Sequence, residues 1–378
     1  MKDPKKTRVV MLFGGRSGEH EISVRSAHNV AGALDPDRFE LIPIAISTEG
    51  EWLTPKSSAR LLGDKRPAAL VSDLGEFDDL SEKLFEGARR ADFIRETVIF
   101  PVLHGPFGED GTVQGFLELT RLPYVGCGVL ASACGMDKIV MKSLFQQAGL
   151  PVCRYLWFLR RDWEGRRGEI EARISDELRF PCFVKPANLG SSVGISKAAD
   201  ADSLTAAIEL AARFDRRIIV EEGLIAREVE CAILGNDEPE ASLPGEYVIK
   251  NSSKTFLDYE EKYSATGNNE FVVPAPLSEE LSNKVRDMAR SAFKAIDGSG
   301  LARVDFFLRQ DNGALLVNEI NTMPGLTDAS GFPKMWKGSG LAFSRVLEIL
   351  IELAFERFND KSRNRIERSE QIVQKGGG

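Results

Sequence analysis

The tripeptide Asp311-Asn312-Gly313 lies between two runs rich in apolar residues, 302–308 and 314–320. Asn-Gly and Asp-Gly signals between apolar runs mark a β-hairpin, because they accept the positive φ that tight turns require. The chain here is committed to two antiparallel strands. If the loop is the three residues 311–313, Asp305 stands opposite Glu319 and Arg303 opposite Asn321. Side chains alternate faces along a strand, so all four then share one face. Facing carboxylates repel unless a cation lies between them, and oxygen-only ligands suit Mg2+ held by one or two carboxylates plus phosphate oxygens. A two-residue Asn312-Gly313 loop shifts the register and turns Asp305 off that face. Taken alone, the pattern fits a metal-bearing hairpin and a solvated polar hairpin equally.

A chain of 378 residues exceeds one ordinary core and predicts two or three domains. A net charge of −8, from 49 basic and 57 acidic residues, argues against a nucleic-acid-binding surface. No apolar run is long enough to span a bilayer, and 9–13 is too short for a signal-peptide core, so no membrane association and a cytoplasmic location are expected. Cys127, Cys134, Cys153, Cys182 and Cys231 are odd in number, widely spaced and without a C-x-x-C. They read as free thiols in a reducing compartment. His20, His28 and His104 fit no metal spacing.

The organisation is that of an α/β chain. A short apolar run at 8–13 leads into Gly14-Gly15-Arg16-Ser17-Gly18. A helical pattern follows, with Val24, Ala27, Val30, Ala31 and Leu34 at steps of three and four, then a strand at 41–46. This begins an open α/β unit, although the loop is not the G-x-G-x-x-G of a dinucleotide site. A strand at 97–103 runs into His104-Gly105-Pro106-Phe107-Gly108-Glu109-Asp110-Gly111, at the strand end where such sheets place ligands. A second unit opens near Met136-Asp137-Lys138, with a helix over 139–148 ended by Gly149 and Pro151. Strands are expected at 180–186, 194–197 and 217–220, a helix at 203–213, and in a third unit strands at 246–250 and 271–273, the hairpin and a closing helix at 343–358. The polar stretch 251–269 has too little apolar content for a packed element and reads as a lid. Residues 361–378 read as a polar tail.

Several constellations carry chemistry. Lys185 ends an apolar strand and is followed by Ala187-Asn188-Leu189-Gly190-Ser191-Ser192. Glycines let backbone N–H groups approach a phosphate, serines add hydroxyl donors, and the lysine adds a point charge. This is not the P-loop order, since the lysine precedes the loop, and a plain flexible turn has the same composition. Glu221 and Glu222 follow the 217–220 strand, where free backbone groups can meet an adenine edge, and Glu228 can accept from ribose hydroxyls. Lys262-Tyr263 lies in an aromatic island, 256–263, inside the polar stretch, as suits a lid closing on a site.

Together these blocks resemble the ATP-grasp superfamily and, within it, the D-alanine–D-alanine ligases. The resemblance runs from about Val9 to Leu353, through GGRSGEHEIS (14–23), HGPFGEDGTVQG (104–115), MDK (136–138), FPCFVKPANLGSSVGISK (180–197), REVE (227–230), DYEEKY (258–263), ARVDFF (302–307) and NEINTMPGLTDAS (318–330). It implies a mixed α/β, three-domain architecture: an N-terminal open α/β substrate-binding domain at 1–130, and two domains, 131–224 and 225–360, sandwiching ATP. It implies ATP-dependent joining of two D-alanines through a D-alanyl phosphate, for peptidoglycan precursors, and a homodimer.

Residue by residue, the resemblance sets Lys138, Lys185 and Lys262 on phosphates, with Ser191 and Ser192 closing over them. Glu221, Glu222, Leu224, Glu228, Phe307 and Asn318 complete the nucleotide site. Asp305, Glu319 and Asn321 are the implied ligands of two Mg2+ ions, or Mn2+. Glu19 pairs with the first substrate's ammonium, Ser191 and Tyr263 bond with Glu19, and His104 lies near that substrate. Arg303 and the N–H of Gly325 stabilise the oxyanion, and Ser330 binds the second carboxylate. Family members that use D-lactate lack the Lys-Tyr pair, so Lys262-Tyr263 implies D-alanine over D-lactate, with D-serine harder to exclude.

Overall fold

The computed structural model describes residues 6–63, 91–190, 193–249 and 269–365. Lys262, Tyr263, Ser191 and Ser192 lie outside these residues, as do most of the expected lid and tail. The described chain folds around three sheets.

The first sheet is parallel, in the order β2-β1-β3. It is built by β1 (Thr7–Gly14), α1 (His20–Ala33), β2 (Phe39–Ile46), α2 (Pro55–Leu61), α3 (Ala91–Glu96) and β3 (Thr97–Leu103). All seven β3 residues are buried, as expected of a strand covered on both faces. Helices α4 (Thr112–Thr120) and α5 (Val129–Met136) follow. The carboxyl ends of β1 and β3 deliver the glycine loop after Gly14 and the His104 loop to one edge of the molecule.

The second sheet, β4-β7-β5-β6, is antiparallel. Its elements are α6 (Lys138–Gln147), β4 (Tyr155–Leu159), α7 (Arg160–Glu177), β5 (Cys182–Pro186), β6 (Ser196–Ala198), α8 (Ala201–Phe214) and β7 (Arg217–Glu222). One face packs Cys182, Val184, Ile218 and Val220 against Ile170, Ile174, Leu204 and Ile208. Alternation puts Lys185, Ile219 and Glu221 on the other face. The strand thus runs two residues past the end expected from the sequence and takes in Glu221 and Glu222.

The third sheet runs β11-β10-β8-β12-β13, with β9 paired to β8. It comprises β8 (Ala226–Gly235), β9 (Glu240–Ala241), β10 (Gly245–Ile249), β11 (Asn269–Val272), β12 (Gly300–Arg309) and β13 (Leu315–Asn321). Helix α9 (Glu279–Ala295) covers one face. Ser278 caps it by accepting from Leu281 N–H at 3.2 Å, and Glu279 and Glu280 suit its positive end. It buries Val285, Met288, Ala289, Ala292 and Phe293, one stripe at helical spacing, against Cys231, Val304 and Phe306. Helices α10 (Gly331–Gly338) and α11 (Phe343–Lys361) close the chain, and α11 packs Val346, Leu347, Leu350 and Ile351 into the core that holds Val9, Met11 and Phe13 of β1.

The hairpin corrects the expectation of a three-residue loop. Leu308 pairs with Leu315, and Arg309 N–H donates to Ala314 O at 2.9 Å, so the loop is the four residues 310–313. That register, extended, would set Asp305 opposite Asn318 and turn Glu319 into the core. Instead the register shifts between Asp305 and Phe306, leaving Asn318 as the extra residue of a β-bulge. Beyond it Asp305 pairs with Glu319 and Arg303 with Asn321, as the three-residue loop would have given, while Ile320 takes the core position. The outer edge of β13 is tied to the second unit: Val317 N–H donates to Pro151 O at 2.8 Å and Ile320 N–H to Met141 Sδ at 3.3 Å.

Phe293 is fully buried at the centre of the α9 stripe. Phe293→Ala is expected to lower stability by about 3–5 kcal/mol, through lost burial and the cavity left behind. Urea unfolding followed by circular dichroism measures it.

Candidate active site

One face of the third sheet gathers the charged groups. Asp305 faces Glu230 on β8 and Glu319 on β13, while Phe307 faces Glu228. Arg303, two residues before Asp305 on the same face, grips it with two bonds, Nε to Oδ1 at 2.7 Å and Nη2 to Oδ2 at 2.6 Å. Its Nε also lies 3.4 Å from Glu230 Oε2. A planar guanidinium matches a carboxylate in this way and keeps further N–H groups for other partners. Glu230 was not singled out by sequence, although its place in Arg-Glu-Val-Glu, two residues after Glu228, puts both acids on one face.

The same face fits a divalent cation. Asp305 and Glu319 are directly opposed, as the bulge ensures, and Asn321 lies beside them. Asn321 Oδ1 accepts from Met323 N–H at 2.9 Å and retains a second lone pair. Among the described residues no group of three or more His, Cys, Asp or Glu side chains could hold a metal ion. A donor set of two carboxylates and an amide is completed by phosphate oxygens, the usual manner of Mg2+.

Three lysines of the second unit cluster around Glu221 and the end of β13. Lys185 Nζ donates to Glu221 Oε2 at 2.7 Å, and Lys142 Nζ lies 3.2 Å from Glu221 Oε1. Burial alone would raise the Glu221 carboxyl, but the Lys142 and Lys185 ammoniums bring it down to about 2. Lys138 opens α6, and its Nζ donates to Leu189 O at 2.7 Å, at the start of the glycine–serine loop. Burial holds Lys138 below the ordinary lysine value, while the charge of Glu319 pulls the other way. Glu222 points to the opposite side of its sheet. Its carboxylate accepts from Arg154 N–H at 2.8 Å and from Arg154 Nε at 2.9 Å. Leu224 is half-buried in the turn from β7 to β8.

A third group comes from the first sheet. Glu19 is the N-cap of α1. Gly105, at φ +76°, lies so close that a Cβ there would be 2.7 Å from Glu19 Oε2, so a side chain would strain the backbone and displace the Glu19 carboxylate. Glu109 Oε1 accepts from Gly105 N–H at 2.8 Å. Burial first, and then the Glu19 charge, push the Glu109 carboxyl well above the usual range. Glu109 too was not singled out, because its block is legible only as a breaker-rich loop.

The loop after β13 is stapled to the first unit. His104 Nδ1 donates to Met323 O at 3.0 Å, which leaves Nε2 to accept from Ser26 Oγ at 3.2 Å. Ser26 Oγ accepts from Leu326 N–H at 3.2 Å, and Asn29 donates to Leu326 O at 2.6 Å. Both nitrogens of His104 are therefore occupied in holding the loop. Within that loop Gly325 packs on Ser330, whose Oγ lies 2.7 Å from Thr327 Oγ1; a Cβ on Gly325 would stand 2.7 Å from Ser330 Oγ. The structure thus brings together Glu19, His104, Gly325 and Ser330 on one side, and Arg303, Asp305, Glu319 and Asn321 on the other.

Solved structures of known ligases define the class of fold. A solved structure of the D-alanine–D-alanine ligase from Coxiella burnetii superposes with a TM-score of 0.77 at 34% identity, covering 95% of this chain and 97% of that one. The VanG D-Ala:D-Ser ligase from Enterococcus faecalis superposes with a TM-score of 0.74 at 35% identity, covering 92% and 99%. The fold is the ATP-grasp fold. The sequence then narrows it. The family model for the D-ala D-ala ligase N-terminus matches residues 8–127 and that for its C-terminus matches 144–352. The D-alanine–D-alanine ligase of Bacillus licheniformis is 47% identical over 362 residues, 94% of this chain and 98% of that protein. The chain belongs to the D-alanine–D-alanine ligase family.

Burial holds His104 at a pKa of about 4, below its unfolded value near 6.5. A depressed pKa contributes stability that is complete above the unfolded value and is lost as pH falls toward the folded one. From this group the protein is expected to lose about 2 kcal/mol between pH 7.5 and pH 5. His104→Gln cannot ionise, so its urea midpoint should fall less over the same interval.

Proposed function

We propose that this chain is an ATP- and Mg2+-dependent ligase that joins two D-alanines into D-alanyl-D-alanine, releasing ADP and phosphate, for peptidoglycan precursors in the cytoplasm. The observation that carries it is the polar face of β12 and β13, where Arg303, Asp305, Glu319 and Asn321 meet. The domain reading is 1–130, 131–224 and 225–360, with 251–269 as lid, and the working form is a homodimer.

A carboxylate is a poor electrophile, so the first step makes it a better one. A carboxylate oxygen of the first D-alanine attacks the γ-phosphorus of ATP, the bond to the bridging oxygen breaks, and ADP leaves. Lys138 and Lys185, with Lys262, neutralise phosphate charge, and Ser191 and Ser192 donate to it. Glu221, Leu224, Glu228, Phe307 and Asn318 hold the nucleoside, and Glu222, whose carboxylate is turned away to Arg154, holds the strand end beside it. Asp305, Glu319 and Asn321 would hold two divalent cations, Mg2+ or Mn2+, which supply charge neutralisation at the phosphoryl group. Glu19 receives the ammonium of the first D-alanine, and His104 keeps the loop beside it in place. Ser191 and Tyr263 orient Glu19.

The amine of the second D-alanine, its carboxylate on Ser330, then attacks the acyl carbon. The tetrahedral oxyanion is stabilised by Arg303 and Gly325 N–H, and as it collapses phosphate leaves with the electron pair of the broken C–O bond while the nitrogen releases its proton to solvent. The close approach of Gly325 to Ser330 supports neighbouring oxyanion and carboxylate subsites.

The test is ATP-dependent phosphate release with D-alanine, D-serine and D-lactate, alone and in pairs, with products identified by mass. Release with D-alanine alone, giving the homodipeptide, is expected. Release only with D-alanine plus D-serine would move the product to that of the D-Ala:D-Ser relative, and no release would overturn the reading. Glu319→Gln is expected to lower kcat at least about a hundred-fold. Unchanged turnover at limiting Mg2+ would remove Glu319 from the metal set.

A further inference from the structure

We propose that Lys142 is a positioning residue of this site: one buried ammonium that ties the nucleotide-facing Glu221 to the bulged strand bearing Glu319. The proposal rests on the ligase reading above. Lys142 lies one helical turn beyond Lys138 on α6 and is 1% exposed. Its Nζ meets three groups from separate parts of the chain: Glu221 Oε1 of β7 as an ion pair at 3.2 Å, Asn318 O of β13 at 3.1 Å, and Cys153 Sγ in the connection ahead of β4 at 3.5 Å. An ammonium carries three protons and no acceptor; Asn318 O and Cys153 Sγ take two hydrogen bonds, and Glu221 Oε1 lies at ion-pair distance. A lone charge so deeply buried would be strongly destabilising, and Glu221 supplies the opposite charge. Burial opposes the charge on Lys142, yet Glu221 and then Cys153 hold its pKa above the ordinary lysine value. The group stays charged at neutral pH.

Asn318 is the key acceptor, because it is the residue of the bulge. A bulge leaves its extra residue outside the ladder, and here the carbonyl is satisfied by Lys142. The bulge turns Glu319 to face Asp305 and gives Ile320 the core position. By bonding that carbonyl, Lys142 fixes the displaced register from outside the sheet. The same ammonium shares the Glu221 carboxylate with Lys185, one oxygen each. The phosphate lysine of the second sheet and the metal carboxylate of the third are thus held by a common group that touches neither phosphate nor metal.

The experiment measures binding of Mg2+ and ADP by calorimetry, beside turnover, in the full chain. Lys142→Met removes the charge at similar length. The Mg2+ concentration that half-saturates ADP binding is expected to rise about ten-fold, as for other residues that orient metal ligands. The KM for D-alanine should change less than the KM for ATP. Combined with Glu319→Gln, Lys142→Met should add little, because it acts through Glu319. Lys142→Arg keeps the charge but has a planar fork and should shift the Mg2+ midpoint less. A folded Lys142→Met protein with the parent Mg2+ midpoint overturns the proposal. So does equal weakening of D-alanine and nucleotide, the signature of general structural damage. If Lys142→Met does not fold, a parent midpoint in Lys142→Gln, which also removes the charge, overturns it. Should the unaltered chain fail to bind Mg2+ and ADP, the ligase reading itself has failed, a result distinct from an active parent matched by its variant.

Discussion

The pairing of β12 with β8, continuous from Gly300–Gly235 to Arg309–Ala226, is the constraint on which the site depends. It fixes which residues of β12 look into the core and which look out. Val304 and Phe306 must meet α9, so Arg303, Asp305 and Phe307 must face the other way. The acids of β8 then fall beside them without further choice. Only β13 has freedom, and the bulge at Asn318 uses it.

So many charges crowd together because each sign is answered locally. Arg303 sits between Asp305 and Glu230, and Glu221 between Lys142 and Lys185. Glu109 is the exception: burial first, and then the Glu19 charge, push its carboxyl well above the usual range.

Much of this was legible in the sequence because it rests on local rules. The Asp-Asn-Gly signal marked the hairpin, alternation put Arg303 and Asp305 on one face, and the glycine–serine stretch after Lys185 marked a loop. The bulge was not legible. The right pairing of Asp305 with Glu319 follows from a four-residue loop plus one extra residue, two departures that cancel at the site. Helix α7 also escaped the pattern, since it buries only Trp163, Ile170 and Ile174 in eighteen residues. Lys142 and Glu109 gave no signal because their importance lies in partners distant along the chain. Lys262, Tyr263, Ser191 and Ser192 remain readings of the sequence.

The packing of α11 on the first sheet has a consequence for how the protein is made. Val9, Met11 and Phe13 share a core with Val346, Leu350 and Ile351. Synthesis runs from the amino end, so the first strand emerges hundreds of residues before the helix that covers it. During that interval its apolar face has no native cover from α11. A ribosome stalled before Phe343 leaves a chain with most of its catalytic groups already made but this core open. Quality control could recognise such a product by that single uncovered face.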